Sequence, residues 1–592
     1  MLGPEPNVRP SPARERQTAR RSLPLLCAAA LAACGGGGGN GSVDPGNDTV
    51  TITGKVRYEL PPPVPNCNGL NFDAIGLMPV RQATIQLLDA GTDAVLDETV
   101  TDDTGDYELT VDASTTVFVR VRAELRRSGG PSWDVEVRDN VTAAPTPPPL
   151  GQRPLYVLDG SDFDSGTGDQ VRDITATTGW GGSTYTGTRA AAPFAILDAV
   201  YDGMLLVLAE DPQVEFEPLD VFWSVNNTAT AGEPQDIDAG ELGTSFYRSD
   251  NNLFLLGMDG VDTEEFDDHV IVHEWGHYFE DTMSRSDSIG GAHALGDELD
   301  MRVAFGEGFA TAYSGMALNG TLYCDSLGPA QGSGFGIDIE NQAAGTPGWF
   351  NEISVTTLLY DLWDTAADGA DTGSVGFGPI YDVMTGAQAT TPAFTSIFSF
   401  AAALKAEQPA SVPFVDALLQ AVDIVASGIT PYGDGETNSG SATVDALPVY
   451  TTAEPDGSTI NICSNSQLDP GADGNKLSEH RFLRMTVGTP SAYTFSIVTT
   501  TEIPGPDDPD DDRDQSDPDL LILRNGVVQN QVVMDDLQGF SGDANEEIFT
   551  TPNVLPAGDY VMALVEFRYQ DEESPADFPG QTCFDVAITP AP

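Results

Sequence analysis

The chain has 592 residues, and 91 acidic residues against 26 basic ones give it a formal net charge of −65 at neutral pH. So strong a negative charge excludes binding to nucleic acid or to an anionic membrane face by charge attraction. The length predicts several domains.

The N-terminus has the pattern of an export signal. Residues 1–30 carry five Arg and then a short apolar run, and Leu31-Ala32-Ala33-Cys34 follows. This order resembles a bacterial lipoprotein signal, which implies a signal peptide over residues 1–33, a lipid on Cys34 and a Gly-rich tether over residues 34–48. The implied location is the cell envelope outside the cytoplasm, at the outer membrane. An ordinary cleaved signal or a transmembrane anchor is the alternative, but the apolar run is about half of the ~20 residues that span a bilayer.

Residues 49–145 alternate apolar and polar side chains in short runs, which is typical of half-buried strands. Thr101-Asp102-Asp103-Thr104-Gly105-Asp106-Tyr107 resembles the turn of carboxypeptidase regulatory-like domains, and the resemblance implies a small β-sandwich. A Pro-rich stretch closes this predicted domain. The predicted strands are residues 49–53, 83–88, 107–111 and 117–121.

The catalytic region is predicted over residues 155–450. A helix is expected at residues 191–211 and strands at 219–225 and 253–256, so an α+β arrangement fits. The acidic stretch at residues 159–169 spaces its oxygen ligands as calcium sites do but lacks the complete 12-residue loop pattern. A calcium site and a solvated acidic loop are both open interpretations.

Histidine is concentrated in one part of this region, because four of the five lie within residues 269–293. In a helix, His273 and His277 would lie one turn apart on one face, where two imidazoles can bind one zinc ion with Glu274 beside them. The helix is predicted to begin at Asp262, with Glu265 completing a capping box. A buried helix whose histidines only make hydrogen bonds is the alternative.

A catalytic zinc needs a third protein ligand. A metzincin would supply it from Gly and His three and six residues after the second His, but Glu280 and Met283 stand there. The segment Gly306-Glu307-Gly308-Phe309-Ala310 instead resembles the third-ligand segment of zinc aminopeptidases and fungalysin-type proteases. The resemblance implies a gluzincin-type site with Glu307 as the third ligand, on a helix whose small residues let it approach the first.

Two other carboxylates, Asp297 and Glu298, remain alternatives to Glu307, although with Asp300 they also suit the acidic first turn of the same helix. Thermolysin-like enzymes place an Asp four residues after the ligand Glu to orient a zinc histidine, whereas Thr311 stands there in this chain. We therefore expect Asp281, Asp268 or a backbone carbonyl to orient the histidines.

The resemblance implies hydrolysis of peptide bonds, with Glu274 as the general base for a zinc-activated water. His293 and Tyr360 are the candidates for stabilising the oxyanion, Tyr360 on a helix predicted over residues 351–364. The alternative for Tyr360 is a place in the apolar core, and the alternative for His293 is a place in a surface loop. By analogy, Asn251 to Leu256 is the edge strand to which a substrate backbone would add.

Residues 470–592 are predicted to form a second β-sandwich. Two segments, residues 517–522 and 555–561, resemble the pre-peptidase C-terminal domain of secreted bacterial proteases. The acidic run at residues 507–514 is a second calcium candidate or a loop. The predicted strands are residues 481–487, 493–498, 520–523, 547–550 and 560–565.

Four cysteines remain after the signal and the lipidated position, which is an even set suited to an oxidising compartment. They are Cys67, Cys324, Cys463 and Cys583. Three pairings are possible, and we expect Cys463 with Cys583 because these two bracket the last domain.

The expected architecture is thus α+β and multidomain, with a thermolysin-like zinc peptidase core flanked by two β-sandwich domains. The expected function is that of a zinc metallopeptidase acting on extracellular proteins, as an endopeptidase rather than an aminopeptidase. The expected cofactor is Zn²⁺, with Ca²⁺ as a candidate, and the expected partners are protein or peptide substrates and, through Cys34, a membrane. A catalytically silent adhesion or scaffolding lipoprotein is the alternative.

Overall fold

A computed structural model describes most of the chain from Thr49 onward. The predicted signal peptide, Cys34 and tether lie outside the described residues, as does the acidic run 507–514. The described residues are 49–144, 146–230, 236–366, 369–438, 447–466, 474–501, 516–529, 546–566, 569 and 580–591.

Short strands with alternating burial fill residues 49–176. In the first of them Val50, Ile52, Val56 and Tyr58 are buried while the residues between them are not, which is the period of two that a half-buried strand requires. The four strands predicted from alternation are confirmed as β1, β3, β5 and β6. The strands are β1 (Thr49–Leu60), β2 (Gly76–Pro79), β3 (Ala83–Asp89), β4 (Val95–Val100), β5 (Asp106–Asp112), β6 (Thr116–Arg127), β7 (Trp133–Arg138), β8 (Val157–Asp159), β9 (Phe163–Asp164), β10 (Gln170–Val171) and β11 (Ile174–Ala176).

The central part of the chain is mainly helical. Among the described residues, α1 is long and apolar enough to cross a membrane by length and composition, but 72% of its apolar window is buried inside the protein. It packs on α2 and α3 as a core helix. The elements are α1 (Ala192–Glu210), β12 (Leu219–Trp223), β13 (Phe246–Arg248), β14 (Asn252–Leu255), β15 (Gly257–Met258), β16 (Asp262–Thr263), α2 (Asp268–Met283), α3 (Met301–Leu318), β17 (Leu322–Leu327), β18 (Ser333–Asp338), α4 (Glu352–Trp363), α5 (Phe377–Val383), α6 (Ile397–Glu407) and α7 (Val412–Ala421).

One sheet joins the N-terminal strands to the helical region, in the order β13-β14-β12-β7-β6-β3-β4. β12 lies between β7 and β14 and is parallel to both. The domain boundary predicted between residues 145 and 155 therefore does not separate two sheets. Alternation along a strand shows which face is buried, but it does not show which distant strand pairs with it. The apolar core is likewise continuous, since Val137 and Val221 lie in it with residues of α1, α2 and α3.

The last part of the chain is a β-sandwich with a core of its own. Its two sheets have the strand orders β19-β21-β26-β23-β24 and β20-β27-β22-β25, and Phe495, Tyr560 and Phe584 are buried between them. All five predicted strands are confirmed here. The strands are β19 (Tyr450–Thr452), β20 (Thr459–Asn465), β21 (Arg481–Val487), β22 (Tyr493–Thr501), β23 (Pro518–Arg524), β24 (Val527–Val528), β25 (Glu546–Thr550), β26 (Gly558–Glu566) and β27 (Gln581–Pro590).

Two disulfides cross-link the chain. Cys463 on β20 bonds to Cys583 on β27, so the predicted pairing is confirmed, and Cys67 bonds to Cys324 on β17. Disulfides are typical of oxidising compartments and rare in the cytosol. They indicate a location outside the cytoplasm. The multidomain arrangement of sheets and helices agrees with the expected α+β class.

Candidate metal centre

Helix α2 carries the two central histidines, and it begins at Asp268, six residues after the predicted start. Asp262 does not cap it, because Asp262 pairs with Met258 in the short β15–β16 ladder. Glu265 does not complete a capping box either. It is fully buried, and its carboxylate forms an ion pair of 2.8 Å with Arg189. Tertiary pairing thus overrides the local capping pattern at this point.

Helix α3 begins at Met301, with Asp300 as its N-cap accepting a hydrogen bond from the backbone N–H of Arg302. Asp297 and Glu298 precede the helix, so the expectation that they lie in its first turn is wrong. Asp297 instead accepts a hydrogen bond from the N–H of Ala294 in the preceding loop. The helix starts at the residue after Asp300 because the Asp300 side chain satisfies a backbone donor that the first turn leaves free.

Small residues let the helices around the site approach closely. A Cβ atom added to Gly276 would lie 2.8 Å from the Cα of Ala310, so α2 and α3 are in backbone contact beside the histidines. Gly308 faces α4 rather than α2, since a Cβ there would lie 2.5 Å from the Cβ of Val355. The predicted approach of two helices is present, and Gly276 and Ala310 provide it.

The side chains of His273, His277 and Glu307 converge in the space between α2 and α3. The Nε2 atoms of the two histidines are 3.2 Å apart, and Oε2 of Glu307 is 3.2 Å from Nε2 of His273 and 3.4 Å from Nε2 of His277. Their side chains are only 13–20% exposed. Two imidazoles and one carboxylate are the donor set of a zinc site with three protein ligands and one open position, so these residues fit that metal.

Charge coupling within this group shifts the pKa values of Glu307 and His277 in opposite directions. Burial alone would raise the pKa of Glu307, but His277 and His273 hold it well below its usual range. Burial would lower the pKa of His277, but Glu307 and Glu280 raise it well above its usual range. Glu307 is therefore a carboxylate at neutral pH, as a metal ligand must be.

Outer contacts orient the two histidines. Nδ1 of His273 lies 3.0 Å from Oγ1 of Thr311, and Nδ1 of His277 lies 3.6 Å from Oε2 of Glu280. An acceptor at Nδ1 leaves the lone pair of Nε2 free to face the metal position. The expected orienting role of Asp281 is wrong, because its carboxylate accepts a hydrogen bond from the hydroxyl of Tyr247.

Asp268, the other carboxylate expected to orient a histidine, lies in the first turn of α2 and interacts electrostatically with Asp198 on α1. Thr311 thus fills the position where thermolysin-like enzymes carry Asp. Its position one turn after Glu307 on α3 places its hydroxyl beside Nδ1 of His273, where it is the acceptor when Nδ1 carries the proton.

The carboxylate of Glu274 is buried and accepts a 2.7 Å hydrogen bond from the backbone N–H of Tyr247 on β13. Burial raises the pKa of Glu274, which favours uptake of a proton. The segment predicted as the edge strand, Asn251 to Leu256, forms β14, which lies between β13 and β12. That prediction is wrong: β13 ends the sheet and presents its backbone to Glu274.

His293 lies beside Glu307, and a further carboxylate that sequence reasoning missed, Glu352, forms an ion pair with it. Nε2 of His293 is 3.3 Å from Oε2 of Glu352 and 3.7 Å from Oε2 of Glu307. Burial opposes the charged imidazole, but Glu352 and Glu307 outweigh it and raise the pKa of His293 to about 9. The helix predicted over residues 351–364 is confirmed as α4, with Asn351 as its N-cap, and the approach of Val355 to Gly308 brings Glu352 to the site.

Tyr360 lies away from the side chains of His293 and Glu307. It is eight residues after Glu352, about 12 Å further along α4, and its ring packs beside Gly315 and against Trp363. The expected oxyanion role is therefore wrong for Tyr360. The aromatic ring that does adjoin the site is Tyr323 of β17, whose centroid lies 6.3 Å from that of His273.

The carboxylates of the acidic stretch 159–169 are used within the N-terminal sheets. Asp159 forms an ion pair with Arg120 on β6, and Asp169 accepts a hydrogen bond from the backbone N–H of Thr51 on β1. These contacts favour the acidic-loop interpretation of this stretch over a calcium site.

Comparison with known proteins gives partial likeness only. No family model matches the chain, and no curated protein matches it. The pre-peptidase C-terminal domain of a collagenase from Bacillus anthracis is 9% identical over 24% of this chain and 93% of that domain, with a TM-score of 0.13. The surface-associated copper-binding protein CorA of Methylomicrobium album is 9% identical over 24% of this chain and 99% of its own, with a TM-score of 0.17. PliG, a periplasmic lysozyme inhibitor from Aeromonas hydrophila, is 9% identical over 24% of this chain and 96% of its own, with a TM-score of 0.13.

Proposed function

We propose that this protein is a zinc-dependent metallopeptidase. The observation that carries the proposal is the convergence of His273, His277 and Glu307 within 3.4 Å, next to the buried carboxylate of Glu274. Zinc bound there would polarise the scissile carbonyl and activate a water molecule for attack. The finer assignment, a gluzincin of the thermolysin-like or fungalysin-like kind, is part of this proposal.

Glu274 is the general base and then the general acid in this account. Its raised pKa suits a group that must take a proton from water and return it to the leaving nitrogen. The N–H of Tyr247 fixes one carboxylate oxygen, so the other is free to accept the proton. Loss of the Glu274 carboxylate should remove turnover and leave the metal ligands in place.

His293 is the group that would donate to the developing oxyanion. Glu352 keeps its imidazole charged up to about pH 9. Nδ1 lies 3.1 Å from the carbonyl oxygen of Gly291, so the Nε2 proton, which faces Glu352, is the one that His293 would share with the oxyanion. A charged donor that is partly shielded from solvent stabilises negative charge more strongly than one in water.

Strand β13 supplies the binding edge for an extended peptide. It ends the sheet β13-β14-β12-β7-β6-β3-β4, and its backbone at Tyr247 faces Glu274. A peptide added to this edge would pair by backbone hydrogen bonds, which suits cleavage within a chain. We propose an exported endopeptidase, anchored through Cys34 to the outer membrane, that cleaves extracellular proteins.

The test is hydrolysis of fluorescent casein by the purified chain together with measurement of bound zinc. We expect about one zinc per chain at this site, hydrolysis that a chelator abolishes and added zinc restores, and no hydrolysis by Glu274→Gln with its zinc retained. Glu407→Gln, the same change at an exposed position at the end of α6, is the matched control and should behave as wild type. Zinc binding without hydrolysis of casein or of a peptide library would overturn the peptidase and point to the scaffold alternative.

A further inference from the structure

A second cluster of carboxylates lies near the N-terminal end of α2 and shares no residue with the zinc donors. Asp262 is on β16, Glu264 is in the turn that leads to α2, and Asp325 is on β17. One oxygen from each carboxylate lies within 4.8 Å of the others. Three like charges at this separation repel one another strongly unless something compensates them.

One oxygen of each carboxylate in this cluster lacks a hydrogen-bond partner among the described residues. Oδ1 of Asp262, Oε2 of Glu264 and Oδ1 of Asp325 are buried with no donor among the described residues. Glu264 is the most buried of the three, at 3% exposed. Buried polar atoms are nearly always hydrogen-bonded, so three neighbouring carboxylates that each hold an unsatisfied buried oxygen indicate a missing positive ligand.

The charges around the cluster are also negative. Burial raises the pKa of Asp325 to about 7, and Asp262 adds to the shift. Burial raises the pKa of Glu264 well above its usual range, and Asp325, Asp262, Asp267 and Glu274 all raise it further. The charged groups that shift these two pKa values most are thus all carboxylates.

We propose that Asp262, Glu264 and Asp325 bind a calcium ion. The donors are all carboxylate oxygens, which suit a hard divalent cation and not the softer metals that prefer imidazole or thiolate. Their 4.8 Å limit lies within the roughly 5 Å diameter of an oxygen shell at calcium–oxygen distances of about 2.3–2.6 Å. Calcium is favoured over magnesium because magnesium sheds its water reluctantly and seldom occupies a buried site made only of protein donors.

The position of the cluster indicates what the ion would do. Asp325 precedes Ser326, whose N–H and hydroxyl both donate to Oδ2 of Asp267, the N-cap residue just before α2. Calcium would tie the turn before α2 to β17, which follows α3, so it would hold together the segments that flank both helices of the zinc centre. It acts on stability and takes no part in the hydrolytic step.

The test compares calcium binding and thermal unfolding of the wild-type chain, Glu264→Gln and Glu407→Gln. Titration calorimetry should show one fewer calcium ion bound to Glu264→Gln, or at least about a tenfold loss of affinity at one site. Calcium should raise the Tm of wild type and of the Glu407→Gln control more than that of Glu264→Gln. Equal calcium stoichiometry and an equal rise in Tm for Glu264→Gln and wild type would overturn the site.

The fold of the variant is checked without calcium. Glu264→Gln keeps the shape of the side chain and removes one of three repelling charges, so in a calcium chelator it should unfold at or above the Tm of wild type. Asp325→Asn tests the same site from β17 and should show the same loss of one calcium ion. If both variants keep the full calcium complement, the proposal is wrong. Zinc content and casein hydrolysis are separate readings, so failure of this site and failure of the peptidase proposal are distinguishable.

Discussion

The packing of Gly276 against Ala310 predicts that one methyl group will disturb both stability and metal binding. In Gly276→Ala the new Cβ would lie 2.8 Å from the Cα of Ala310 and 3.1 Å from its Cβ. Carbon atoms in good contact are about 3.5–4.0 Å apart, so α2 and α3 must separate by about 0.7–1.2 Å. Glu307 lies one turn before Ala310 on α3 and would move with it.

The expected losses of stability and of zinc affinity follow from this separation of the helices. Overpacking costs about 1–3 kcal/mol, and replacing a helical Gly by Ala returns about 1 kcal/mol, so the net loss in unfolding free energy is up to about 2 kcal/mol. Metal–ligand distances tolerate only about ±0.2 Å. A separation near 1 Å should therefore lower zinc affinity by at least about tenfold, because Glu307 can no longer meet both His273 and His277.

Urea unfolding and competition with a chromophoric zinc chelator measure the two effects. Gly386→Ala is the matched control, since a Cβ there meets no atom within 4 Å, and it should leave zinc affinity unchanged and stability the same or slightly higher. Wild-type zinc affinity in Gly276→Ala would refute the inference that the close approach of α2 and α3 sets the ligand geometry.

Three further results are expected. Thr311→Val removes the hydroxyl beside Nδ1 of His273 and should weaken zinc binding about 10–100-fold in the same chelator competition. Thr311→Ser keeps a hydroxyl and should retain most of the affinity. Equal zinc affinities for Thr311→Val and wild type would exclude the orienting role. Glu352→Gln should lower the pKa of His293 and reduce casein hydrolysis at pH 8 by at least about tenfold, with zinc content unchanged. Unaltered turnover in this variant would show that His293 has no part in the mechanism. Burial lowers the pKa of His269 to about 4, so its contribution to stability is complete above pH 6.5 and is lost as the pH falls from 6.5 towards 4. In NMR spectra of the metal-free protein its ring should stay neutral at pH 5.5, and titration near 6.5 would contradict the burial.

Local pattern was enough to predict the positions of the central residues. The spacing of His273, Glu274 and His277 depends only on helical geometry, and their placement on α2 follows from it. Glu307 lies close to both histidines, in line with the resemblance of residues 306–310 to a third-ligand segment. The five strands predicted for the C-terminal sandwich are present as well.

Contacts between distant segments were not predictable in this way. Glu352 reaches the site because α4 packs on Gly308, and no spacing rule links residue 352 to residue 293. The capping pattern at Asp262 predicts a start for α2 that is six residues too early, because Asp262 pairs with Met258 in a β-ladder. The N-terminal strands appeared to form a separate domain because the parallel pairing of β7 with β12 has no local signature.

Anomalous diffraction at the zinc edge, from crystals of the full chain grown with zinc, tests the central claim most directly. The account predicts one peak between α2 and α3, about 2.0–2.1 Å from Nε2 of His273 and of His277 and about 2.0–2.2 Å from a carboxylate oxygen of Glu307. No peak at this position, or a peak held by His293 and Glu352 in its place, would contradict it.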